Sequence, residues 1–286
     1  MREAVAAQPD WLALVPAERR LPPGRIVHVG AGTSFHAAQT GASRSGCSAL
    51  QSLEAVLQAP EADALVLVSH EGETPLTLEA AQAFAGPKWL VTGKEDGPIA
   101  ELCDEVVVCT PAVEVSYCHT ASYTCAIAAI AALHGEDVAW LPGAVARALV
   151  GRRLPVSGHE RIVIAGAGRD WPTAQEAALK LREGVSLAAE AWETEQLLHG
   201  PLAAVDETVR CFVLEGEGRA AVRAADAVAA LTELGCDVTL VPTSHPAVDI
   251  VRFHLLTLDL AETRGVDPDL IRRDDERWKR AAELHG

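Results

Sequence analysis

No run of basic residues long enough to grip nucleic acid occurs in the 286-residue chain. Its 24 Lys and Arg are outnumbered by 40 Asp and Glu, for a net charge of −16. Phosphate backbones and anionic membrane surfaces attract cationic faces, which makes both poor candidate partners. Also lacking is any apolar run of the ~18 residues that a membrane span needs. The opening "MREAVAAQPDW" has no apolar stretch of the kind a signal peptide carries. The seven cysteines (Cys47, Cys103, Cys109, Cys118, Cys125, Cys211, Cys236) are odd in number, scattered, and form no Cys-x-x-Cys pair. That argues for reduced core thiols in a cytoplasmic protein. What remains, 49% apolar and 22% charged residues, is an ordinary globular composition with a sizeable core.

Two nucleotide signatures are incomplete. Gly-x-Gly follows a strand twice, at Gly30 and Gly32 and at Gly166 and Gly168, but Phe35 and Trp171 stand where the dinucleotide fingerprint needs its third glycine. "VTGKEDG" fails as a phosphate-binding P-loop, because Glu95 follows Lys94 where Ser or Thr would hold magnesium. A tight strand-to-helix turn explains both Gly-x-Gly pairs.

What is present is a rhythm. Short Val, Ile and Leu runs alternate with longer Ala-rich, helix-periodic stretches, the pattern of strands buried on both faces in a parallel sheet. "RIVHVG", "ADALVLVS", "KWLVT" and "DEVVVC" precede a long helix expected from about Tyr117 to His134. After "RRLPVSGHE" the pattern restarts with "RIVIAG", "VRCFVLEG" and "CDVTLVP", closing on the helix "DIVRFHLLTLDLAE". The similar openings "RIVHVGAGTS" and "RIVIAGAGRD" suggest two copies of one α/β lobe, 1–154 and 155–286.

Two segments carry chemistry. "VLVSHEGETPLTLEAA" reads as a strand, a Gly-containing loop and a helix capped by Thr74 and opened by Pro75. Such a junction presents N–H groups to an anion, yet Glu71 lies in its middle. On a helix beginning near Pro172, Glu176, Lys180 and Glu183 fall at i, i+4 and i+7, one polar stripe on an Ala- and Leu-rich helix. The plain reading of such a stripe is a solvated salt-bridge face.

Taken in order, "GAGTSFHAA", "SHEGET" and "AAEAWETEQLLHGPLAAVDE" resemble the successive motifs of the sugar isomerase (SIS) domain family, specifically the isomerase half of glutamine-fructose-6-phosphate aminotransferase and its stand-alone relatives. The resemblance implies two tandem SIS lobes, each a flavodoxin-like, Rossmann-like three-layer α-β-α sandwich with a parallel sheet. It implies a phosphosugar aldose/ketose isomerase or amino-sugar-phosphate deaminase that needs no metal or organic cofactor. It puts the family's catalytic Glu on Glu183, its Lys on Lys180 and its ring-opening His on His199, with the His supplied across a homodimer. Thr33, Ser34, Ser69, His70, Glu71 and Thr74 then fall at the phosphate end, with Tyr117, His119 and Thr120 lining the sugar pocket. An aldose–ketose conversion needs one base to shuttle a proton between C1 and C2, a task suited to a carboxylate partly removed from water. Ring opening suits an imidazole, and Lys180 would stabilise the enediolate. The rival reading is a non-catalytic sugar-phosphate sensor, which needs none of these three residues.

The chain departs from the family pattern in three places. No glutaminase segment precedes the lobes, so it is not expected to be a complete aminotransferase. The tail "LIRRDDERWKRAAELHG" differs from the family's, and Lys279 lies near but not at the corresponding lysine. Glu71 replaces a Ser, while "YCHTASY" carries His119 and Ala121 where the family has Ser and Lys. Like unit charges 4 Å apart repel by about 4 kcal/mol at an effective dielectric near 20. Glu71 must therefore turn outward, be protonated, pair with a cation such as His119 or His70, or face a ligand without phosphate, whether an unphosphorylated or an amino-bearing sugar. A metal on His70, Glu71 and His119 is disfavoured, because the segments lack zinc-ligand spacing.

Overall fold

The structure, a computed structural model, describes residues 1–284, and the chain divides into two compact units. The first comprises Met1–Val150 and the tail from Arg272 onward; the second comprises Gly151–Ile271. The lobe boundary expected at 154/155 thus falls beside a division at 150/151. The tail, expected with the second lobe, clusters with the first, and its last two residues, His285 and Gly286, lie outside the described residues.

The first unit runs α1 (Arg2–Leu12), β1 (Ile26–Gly30), α2 (Thr33–Ser45), β2 (Ser48–Gln51), α3 (Ser52–Gln58), β3 (Ala64–Val68), α4 (Pro75–Ala83), β4 (Lys88–Thr92), β5 (Glu105–Val108), α5 (Ala121–Leu133) and α6 (Leu141–Leu149). Its sheet is parallel, in the order β2-β1-β3-β4-β5. β1 and β3 are buried along their whole length, as largely apolar strands are when helices cover both faces. The period of two sorts their side chains. Val27, Val29, Leu65 and Leu67 pack with Ala55, Ala80 and Ala81 of α3 and α4, while His28 points the other way and meets His134 at the end of α5. α5 is buried on every side, so its apolar run carries no helical stripe. It starts at Ala121 rather than near Tyr117, because residues 114–120 wrap around the Glu114 carboxylate.

The second unit runs β6 (Arg161–Gly166), α7 (Trp171–Val185), β7 (Ala188–Glu193), α8 (Thr194–Leu198), β8 (Val209–Leu214), α9 (Arg219–Glu233), β9 (Asp237–Val241) and α10 (Pro246–Arg264). Its parallel sheet has the order β7-β6-β8-β9. α7 packs on β6 and β7 and against α10, and α9 packs on β8 and β9. Val163, Ala165, Cys211 and Val213 face Ala224, Ala227 and Leu231 of α9. Each unit is therefore a three-layer α/β sandwich with the same strand order in its first four positions. The echo extends to the turns. A Cβ on Gly30 would lie 2.7 Å from the Ser34 backbone and one on Gly166 2.8 Å from Asp170 O, so neither turn closes with a larger residue. Gly32 and Gly168 follow with φ of 55° and 58°. A short tail helix, α11 (Glu276–Ala282), completes the chain.

Candidate functional site

In the first unit the strand order reverses direction between β1 and β3, and ligands of doubly wound sheets bind outside the carboxyl ends of the strands at such a point. Thr33 and Ser34 open α2 there and line a cleft with His70, Thr92, Cys109, Ser122 and Tyr123. The cleft encloses ≈ 20 Å³, room for a water and not for a sugar.

The loop from β3 to α4 is closed by its own polar groups. Ser69 Oγ and Thr74 Oγ1 are hydrogen-bonded at 3.0 Å, and the Gly72 N–H donates to Ser69 O at 3.2 Å. The Thr92 hydroxyl and the Gly93 N–H both donate to His70 O. The Glu114 N–H donates to His70 Nε2 at 3.0 Å, so that nitrogen bears no proton. Burial lowers the His70 pKa below its ordinary value, against the opposing pull of Glu114 and Glu71. His119 packs edge-on to His70, with ring centroids 4.7 Å apart. Glu71 is half-exposed, and the cation that meets it is Lys94, 3.3 Å away; the same ammonium lies 3.2 Å from Glu73. Glu71 is thus turned outward, and its partner is a lysine from the next strand-end loop.

Glu114 is a site residue that sequence reasoning missed. Its buried carboxylate accepts from the Thr120 N–H at 2.8 Å and hydroxyl at 2.9 Å, and from the Ser122 N–H at 2.8 Å and hydroxyl at 2.7 Å. These donors open α5, where unpaired N–H groups and the helix dipole favour a negative charge. Burial works against the charged form, yet the Ser122 donors, the His119 ring and the Thr120 N–H outweigh it and hold the carboxyl below its ordinary range. Thr120 therefore serves Glu114. Tyr117 is 47% exposed, and the tail's Arg273 guanidinium stacks 3.7 Å from its ring centroid.

In the second unit the α7 stripe is not solvated. Glu176 and Lys180 are fully buried, and Lys180 Nζ lies 3.4 Å from Glu176 Oε1 and 2.5 Å from Glu183 Oε2. Glu183 keeps a quarter of its side chain exposed, so its carboxylate can meet a ligand. Helix spacing explains the row, since residues three and four apart stack on one face. His199 ends α8 and is largely exposed; its Nε2 meets Glu195 Oε1 at 2.7 Å. Glu195 Oε2 accepts in turn from Arg223 Nε at 2.6 Å. Glu195 and Lys94 were legible as charges, but nothing in the linear sequence paired them with His199 or Glu71. Among the described residues no group of three or more His, Cys, Asp or Glu could hold a metal ion, and all seven cysteines are free. No helix among them is long and apolar enough to cross a membrane.

Residues 156–267 match the family described as "SIS domain". The glutamine–fructose-6-phosphate aminotransferase (isomerizing) of Rhizobium leguminosarum bv. viciae is 25% identical over 259 residues, covering 72% of this chain and 42% of that protein. The chain thus spans about two fifths of that relative's length. Among solved structures, the C-terminal domain of glucosamine-fructose-6-phosphate aminotransferase from Francisella tularensis superposes with a TM-score of 0.79 at 19% identity, over 94% of this chain and 97% of that one. Glucosamine-6-phosphate deaminase from Thermotoga maritima gives 0.76 at 18%, over 94% and 96%. At these identities the structures establish a shared fold.

Proposed function

We propose that this chain, which carries a SIS domain, moves a proton between C1 and C2 of an open-chain sugar through an enediol. It thereby interconverts an aldose and a ketose or deaminates an amino sugar. The observation that carries this reading is the buried row on α7. A solvated salt-bridge face would leave its charges in water, whereas here an ammonium without exposed surface is shared by two carboxylates, one of them open to a ligand. Burying such a group is costly unless it is paired, and a sensor has no need of it.

In this reading Glu183 takes the proton from C2 of the aldose and returns it to C1. Lys180, buried behind Glu183 and paired with it, places a positive charge next to the carboxylate that meets the sugar, and Glu176 keeps Lys180 in line. His199, oriented by Glu195 as a carboxylate orients an imidazole in other acid–base sites, moves the proton that opens the ring. The names of the relatives point to sugar phosphates as the substrate class. A homodimer, with His199 serving a neighbouring subunit, belongs to the same reading.

The test is exchange of the sugar C2 proton in heavy water, followed by nuclear magnetic resonance. Wild-type protein is expected to exchange it, and Glu183→Gln to lose 10²- to 10⁴-fold of the rate, the usual contribution of a general base, with unchanged circular dichroism. Full exchange by the variant would refute the assignment.

A further inference from the structure

The tail meets the first unit through one guanidinium. Ile271 and Arg272 turn the chain with successive φ angles of 42° and 63°, a left-handed conformation that side-chain-bearing residues avoid and a β-branched Ile avoids most. Beyond that turn Asp275 accepts from the Arg277 and Trp278 N–H groups and pairs with Arg272 at 2.7 Å, which fixes the segment leading into α11. Arg273 stands inside this clasp. Its guanidinium lies over the Tyr117 ring, 3.7 Å from the centroid, with the Trp278 ring centroid 5.7 Å away. Arg272 spends its charge on Asp275, whereas Arg273 has no carboxylate partner among the described residues. Stacking uses the face of a guanidinium and leaves its N–H edge open for two parallel bonds to an oxyanion.

Tyr117 belongs to a rigid platform beside the crevice. Residues 114–120 are wound around the Glu114 carboxylate, which accepts from Thr120 and Ser122, and the Ser116 hydroxyl donates to Cys118 O at 3.3 Å. Two residues from Tyr117, His119 packs on His70, which lines the crevice with Thr33 and Ser34. The crevice offers hydroxyls but little positive charge: His70 Nε2 accepts the Glu114 N–H, and the Lys94 ammonium is already shared by Glu71 and Glu73. A phosphate dianion held by neutral donors alone keeps both charges uncompensated, and a guanidinium offsets one of them with bidentate geometry. We propose that Arg273, brought by the tail and stacked on Tyr117, is the residue through which this crevice binds the phosphate of a sugar phosphate. The proposal rests on the sugar-enzyme reading above and names the group that selects its substrate class.

The test is isothermal titration of the full chain with fructose, glucosamine and their 6-phosphates. Wild type is expected to bind the 6-phosphates more tightly than the parent sugars. Arg273→Ala is expected to weaken binding of the 6-phosphates about tenfold or more, the usual worth of a hydrogen bond to a charged group, and to leave binding of the parent sugars unchanged. Arg273→Lys keeps the charge without the fork and should fall between the two. Tyr117→Ala removes the stacking platform and should weaken binding of the 6-phosphates by about threefold. Unfolding midpoints at the wild-type value show that each variant is folded. Wild-type affinity of Arg273→Ala for the 6-phosphates overturns the proposal, as does an equal loss for phosphorylated and parent sugars, which would make Arg273 a support of the pocket. If C2 exchange persists in wild type, the enzyme reading survives either failure. Binding of none of the four sugars by wild type, with no exchange, overturns both.

Discussion

The backbone N–H of Glu114 donates to Nε2 of His70 across 3.0 Å, while the carboxylate of the same residue gathers the first donors of α5. One residue thus acts at two places: its backbone N–H keeps His70 Nε2 free of a proton, and its carboxylate gathers the start of a helix whose thirteen residues are all buried.

Replacing that carboxylate should therefore be expensive. In Glu114→Gln one oxygen becomes an amide donor facing the Ser122 or Thr120 donors, leaving buried N–H and hydroxyl groups unmatched at roughly 1–3 kcal/mol each. We expect about 2–4 kcal/mol of lost stability, measured by urea unfolding. The pH dependence has a definite sign. The folded-state pKa of Glu114 is depressed, so its contribution is present above the ordinary carboxylate value of 4.5 and is lost as pH falls through the folded value. Glu114→Gln should flatten that acid limb.

Lys180 should behave as a buried charge that cannot lose its partners. Lys180→Met leaves Glu176 buried and without its ammonium, which costs about 3–5 kcal/mol when a buried pair is broken on one side. Adding Glu176→Leu removes the stranded charge and should recover most of that loss. A double-mutant cycle by chemical denaturation measures both, and additive losses would show that the row is not a coupled unit.

His28 and His134 supply a second pH response, away from the crevice chemistry. Their Nε2 atoms lie 3.0 Å apart and His28 Nδ1 is 3.3 Å from Ser48 O, an arrangement that needs a neutral His28 donating to the carbonyl. Burial, then the neighbouring His134, pushes the His28 pKa down to about 3 from 6.5. Burial also lowers that of His134. Between about 6.5 and 3 the unfolded chain binds a proton at His28 that the folded chain does not, so stability falls as pH falls, by about 1.4 kcal/mol per unit. His28→Gln should remove most of that slope, read from unfolding midpoints across pH 3–7.

Much of this architecture was legible because β3 is a continuous apolar run and β1 and β8 are apolar but for His28 and Arg210, all three buried along their length. The edge strands β2 and β7 were not. "SALQ" and "AAEAWE" are only partly buried and carry no apolar run to announce them. The α7 row was visible through helical spacing, which puts i, i+4 and i+7 on one face whatever the tertiary structure. Its burial was not, since periodicity cannot say whether a polar stripe meets water or protein. Glu71 stood out as an anomaly, but its partner Lys94 lies 23 residues on, in another loop that only sheet pairing brings alongside. The Arg273–Tyr117 contact was illegible for the same reason, since it joins residues far apart in sequence.

The chain from His199 to Arg223 carries the last prediction. His199 Nε2 meets one oxygen of Glu195, and Arg223 Nε fixes the other. Arg223 and then His199 hold the Glu195 carboxyl below its ordinary range, so it stays ionised across the neutral pH where an imidazole exchanges protons. The His199–Glu195 pair is exposed, so it adds little to folding; in the proposed reading it orients the ring. Glu195→Gln keeps a hydrogen-bond acceptor but loses the charge, and Glu195→Ala loses both. If His199 opens sugar rings, turnover of cyclic substrate should fall stepwise, about tenfold and then about a hundredfold, a fraction of what general acid–base groups contribute. The unfolding midpoint should stay at its wild-type value in both variants. Burst experiments with freshly ring-opened sugar isolate the step: they should show near wild-type C2 exchange in both, because Glu183 and Lys180 are untouched. Equal losses on cyclic and open-chain sugar would remove His199 from the ring-opening role and leave it a structural element of the turn after α8.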